Sequence, residues 1–70
     1  MTVYEQGMEI IRACRKVGPL GLTQEKITRT MALKGVGPIV TEALLDFAVS
    51  AGKVRKVGEQ AEARYIATGL

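Results

Sequence analysis

Seventy residues, 47% of them apolar, with ten Lys and Arg against seven Asp and Glu for a net charge of +3, fit one domain spanning 1–70, near the lower size at which a single core folds unaided. That size leaves little room for a large active-site cavity, and no stretch approaches the ~20 apolar residues that cross a bilayer. One cysteine and no histidine exclude a disulfide framework and a Cys/His zinc site within the chain, so neither a metal nor another cofactor is expected; the positive balance permits an anionic partner without demanding one.

The first stretch, "MTVYEQGMEIIRACRKV", mixes acids and bases into its apolar residues, unlike the basic-then-apolar layout of a secretion signal. A cytoplasmic protein is expected. Over residues 2–17, Val3, Ile10, Cys14 and Val17, with Met8 and Ile11 beside them, form one apolar stripe, while Glu5, Glu9, Arg12 and Lys16 fall on the other side. This is an amphipathic helix, weakened by Gly7, which costs ~1 kcal/mol relative to alanine. Cys14 reads as a small buried hydrophobe.

Gly18 and Pro19 stop that helix, and residues 20–22 suit a very short strand. Thr23 is a good N-cap, with Glu25 in the first turn where an acid favours the helix dipole, so a second helix is expected over 24–33. Its apolar side is Ile27 and Met31; Lys26 and Arg29 share a solvated side. "KGVG", residues 34–37, makes a turn. Pro38 suits the first turn of a third helix, because its missing amide would have lacked a partner anyway, and Gly52 closes that helix after residue 51. Two helices joined by a short turn form a helix-turn-helix.

The rest reads as a hairpin over 53–68, "KVRKV" and "ARYIAT" separated by "GEQAE", with β-branched and aromatic content suited to paired strands. Arg55 and Lys56 are adjacent, so the first strand does not alternate cleanly; a bulge or an exposed edge would account for this.

This order of elements, together with "GLTQEKITRTMALKGVGPIVTEALLDFAVSAGKVRKV" followed by "ARYIAT", resembles the winged helix-turn-helix family in its small bacterial and phage-type regulators. The resemblance covers roughly residues 20–68 and rests on several features. They are the leucine before a capping threonine, the apolar spacing through two helices, "AG" ahead of a basic strand, and an "RYI" return strand. It implies an α+β fold of three helices with a small antiparallel sheet. It also implies a double-stranded DNA-binding transcriptional regulator, with the third helix in the major groove, the second over the backbone and the wing along a neighbouring phosphate or minor groove.

The residues themselves set terms for that role. At 100° per residue, Val40, Leu44, Phe47 and Ala51 share one side of the third helix and are expected in the core. Pro38, Thr41, Glu42, Leu45 and Val49 then lie opposite, with Asp46 at the edge. Base edges are read mostly by Arg, Lys, Asn and Gln, and this face has none. Thr41 could touch a base or a thymine methyl and Glu42 could accept from cytosine, while Gly37 and Pro38 present the start of the helix to a phosphate. Lys26, Arg29, Lys34, Lys53, Arg55, Lys56 and Arg64 surround the helix-turn-helix and wing and either hold phosphates or are ordinary solvated side chains. The acids Glu59 and Glu62 at the wing tip oppose deep minor-groove insertion.

Leu45 and Val49 open an alternative. Either they pack against the wing or the first helix, or they project with Pro38 as an apolar patch rimmed by acids, suited to a protein of the transcription or replication machinery. An enzyme is not expected: Ser50 is the only serine, no histidine can act as a base, and Glu42 with Asp46 reads as a solvated pair. No helix follows the last strand to serve dimerisation, so a homodimer would have to pair through an existing face.

Overall fold

The computed structural model describes residues 2–59 and 62–69. Three helices, α1 (Val3–Val17), α2 (Gln24–Ala32) and α3 (Pro38–Ser50), combine with three strands, β1 (Leu22–Thr23), β2 (Val54–Val57) and β3 (Arg64–Ala67). The sheet is antiparallel in the order β1-β3-β2. This α+β arrangement, with helices α2 and α3 joined by a short turn and a C-terminal hairpin closing the sheet, is the layout of a winged helix. Among the described residues no helix is long and apolar enough to cross a membrane.

Local chemistry explains the boundaries. Thr2 and Glu5 form a capping box at the start of α1: the Glu5 amide donates to Thr2 Oγ1 at 3.1 Å, and the Thr2 amide donates to Glu5 Oε1 at 3.2 Å. These bonds, the one from the Thr2 backbone first, hold the Glu5 carboxyl below its ordinary pKa. Gly18–Leu20 then makes one turn of 3-10 helix, so Leu20, expected in a strand, is exposed and the pairing starts two residues later. Pro19 lacks the amide a ladder needs, which delays the strand. Gly21 carries φ +73°, and a Cβ there would meet Ile66 Cγ1 at 2.8 Å and the Tyr65 carbonyl oxygen at 3.0 Å; only glycine lets this corner lie so close to β3.

Thr23 Oγ1 accepts the Lys26 amide and caps α2. At its other end Gly35 is left-handed (φ +82°), and the Val36 amide donates to the Met31 carbonyl at 3.0 Å, which tucks Val36 into the core.

The core joins Ile10, Ile11 and Cys14 of α1, Ile27 and Met31 of α2, Leu44, Leu45 and Ala48 of α3, and Leu22, Val54 and Tyr65 of the sheet. Full burial of side chains of this size is worth about 1.5–3 kcal/mol each. Two expectations for α1 are corrected: Val3 and Val17, at the ends of the apolar stripe, are exposed, Val3 on the open groove between α1 and α3. The unbroken register Val54–Ala67, Arg55–Ile66, Lys56–Tyr65, Val57–Arg64 has no bulge. The adjacent basic pair is accommodated because β2 is the edge strand, with Arg55 on the outer face of the sheet.

Candidate nucleic-acid interface

The inward face of α3 differs from the expected one. Thr41, Leu44, Leu45 and Ala48 are buried, while Phe47 is 74% and Val40 45% exposed. The reason is chemical. Thr41 sits fully inside because its hydroxyl donates to the Gly37 carbonyl one turn back, at 2.9 Å, so the polar atom is satisfied without water. Its methyl is then free to pack. Thr41 therefore cannot reach a base edge. Leu45 is 1% exposed and Val49 packs against the core, so of the two alternatives for this pair the inward packing is the one found, and the pair forms no apolar patch on the surface. Ala51, also expected in the core, is exposed.

What α3 does present outward is Pro38, Ile39, Val40, Glu42, Ala43, Asp46, Phe47 and Ser50. Of these only Ser50, at the last position of the helix, carries a side-chain hydrogen-bond donor. The two carboxylates would repel a polyanion, so the surface is a poor reader of DNA.

The seven basic residues are distributed rather than gathered. Arg29 and Lys56 come together: they line one cleft of about 720 Å³ with Gln24, Glu25, Thr28 and Pro38. Lys56 belongs to the face of β2 that also carries Val54 and stands opposite Tyr65, yet it is exposed and lines the cleft with residues of α2. Arg29 already donates to Glu25 at 2.9 Å, both side chains being largely exposed; such a pair is worth little and yields to a phosphate. Lys26 is exposed one step round α2 from Arg29. Pro38, which has no amide to offer, begins α3 at this cleft, and no side chain caps the helix after Gly37.

The remaining cations lie elsewhere. Arg55 and Arg64 project from the outer face of the sheet, opposite Ile66 and Val57 respectively. Lys34 pairs with Glu9 of α1 at 3.2 Å, and Glu9 also accepts from Arg12. Lys53 lines a different groove, between α1 and α3. At the wing tip, Glu59 and Glu62 are exposed, and Gln60 and Ala61 lie outside the described residues.

That second groove, about 800 Å³ in volume, is lined by α1 residues including Val3, Tyr4, Met8 and Arg15 and by α3 residues including Ile39, Val40 and Phe47. Helical spacing alone places Val40 and Phe47 in the core, whereas both are exposed on this groove. The pattern that distinguishes the faces is Thr41-Leu44-Leu45-Ala48, with an i, i+3, i+4, i+7 spacing completed by a threonine able to bond its own helix.

Comparison with known protein families, curated proteins and solved structures gives no match to this chain.

Proposed function

We propose that the domain is a double-stranded DNA-binding module of transcription regulation that grips phosphates with the α2 side and the wing and reads little sequence. The observation that carries the reading is the cleft that Lys56 and Arg29 line together beside the start of α3. Two cations come together there, the kind of side chain that receives a phosphate oxygen. Lys26 extends the border along α2, while Arg55 and Arg64 extend it around the wing. The net charge of +3 favours approach to a polyanion. Base readout by α3 is left out of the mechanism, since its outward side chains, Ser50 at the far end apart, are apolar or acidic. A cytoplasmic location goes with such a role.

Titration of unrelated duplexes at several salt concentrations tests it. Affinities should be similar across sequences and fall with salt at a log-log slope near −0.9 per phosphate contacted. Absence of binding to any duplex at low salt would end the proposal.

A further inference from the structure

We infer that the α1–α3 groove is the contact surface of a homodimer, occupied by α3 of a second copy. The inference does not depend on DNA binding. Tyr4 is 76%, Ile39 83% and Phe47 74% exposed, and all three line the same groove. Isolated exposed apolar residues are ordinary; several large ones converging on one groove mark a contact surface.

Charge selects the occupant. The charged residues lining the groove are Arg15 and Lys53, both cations. A fitting partner therefore presents apolar side chains interleaved with carboxylates. The outward face of α3 has this composition: Ile39, Ala43 and Phe47 alternate with Glu42 and Asp46. The ion pairs among the described residues are Arg12–Glu9, Arg29–Glu25 and Lys34–Glu9; Arg15, Glu42 and Asp46 take part in none of them. Groove and ligand lie on one surface, which is the requirement for isologous two-fold pairing. In that arrangement Phe47 of each copy enters the groove of the other, and the carboxylates of Glu42 and Asp46 approach the opposing Arg15. An interface of ordinary size removes about 800 Å² per partner, a modest share of the 4806 Å² surface of one chain.

Sedimentation equilibrium of the full chain from ~1 μM to ~1 mM, a range that spans weak to moderate dissociation constants, tests the inference. The expected result is reversible association to twice the 7.5 kDa chain mass. Phe47→Glu should leave the chain monomeric throughout with its circular dichroism unchanged, because an exposed side chain is replaced. Arg15→Glu should weaken association at least tenfold, and combining it with Asp46→Lys should restore part of the loss. A wild-type chain that stays monomeric to the highest concentration overturns the proposal. So does a dimer that survives Phe47→Glu, since it would use another face.

Discussion

Lys56 Nζ stands 5.9 Å from the centroid of the Tyr65 ring, its partner across the β2–β3 ladder. The buried ring, fixed in the core, steers the lysine toward α2. An exposed cation–π contact of this kind contributes only ~0.5–1 kcal/mol to stability. Its main effect is to hold a charge at the mouth of the cleft. Lys56→Ala should lower the log-log salt slope of duplex binding by roughly 0.9, one phosphate contact. Lys56→Glu should cost on the order of tenfold in affinity at moderate salt, with urea midpoints little altered. Unchanged binding by Lys56→Glu would remove the cleft from the interface.

Core and surface of α3 are separable by mutation. Leu45→Ala should destabilise by about 2–5 kcal/mol, whereas Phe47→Ala, at a concentration where the chain is monomeric, should stay within about 0.5 kcal/mol. Thr41→Val removes one hydroxyl bond, while the Gly37 carbonyl keeps the Thr41 amide at 3.0 Å, so a loss of about 1 kcal/mol is expected. Duplex affinity should not change with it. Urea denaturation of the three variants checks the order.

Two glycines should respond in opposite directions. At Gly7 an added Cβ would meet only Leu44 Cδ2, at an ordinary 3.9 Å, so Gly7→Ala should stabilise by about 0.5–1 kcal/mol through helix propensity. At Gly21 the same change collides with β3 and requires a left-handed backbone; it should destabilise by more than about 1 kcal/mol. Thermal melts of the pair give the comparison directly.

Burial pushes the Cys14 thiol from 9.0 up to about 11. Since the folded state holds the proton more tightly than the unfolded state, this group's contribution is fully present below about pH 9. It is lost as pH rises toward 11, where the unfolded chain ionises first. Stability measured by urea should therefore fall over that range in the wild type and fall less in Cys14→Ala. At neutral pH an aromatic disulfide reagent should modify Cys14 only as fast as the chain unfolds.

The element order could be read from the sequence because its signals are local. Thr23 caps α2, Pro38 opens α3, and glycines at 18, 35 and 52 fall at helix ends. The orientation of α3 could not be read in the same way. Apolar residues surround that helix almost completely, so two stripes compete: Val40-Leu44-Phe47-Ala51 and Thr41-Leu44-Leu45-Ala48. Treating threonine as polar favours the first, but the Gly37 carbonyl satisfies its hydroxyl within the helix and the second is the buried one. The candidate cleft was legible only in its parts. That Lys56 and Arg29 share it, while Lys53 lies in the other groove, depends on packing between elements that neither segment encodes alone.

The middle position of β3 bears on the order in which the molecule can be made. Leu22 pairs with Tyr65, far along the polypeptide, and both other strands bond only to β3. A nascent chain that has emerged through Val57 possesses all three helices and two strands that have nothing to bond to each other. Its apolar surfaces must wait for Arg64–Ala67 to leave the ribosome before the sheet can seal. A stalled product of that length would be expected to draw chaperones or proteases, whereas one that includes Ala67 can complete the sheet.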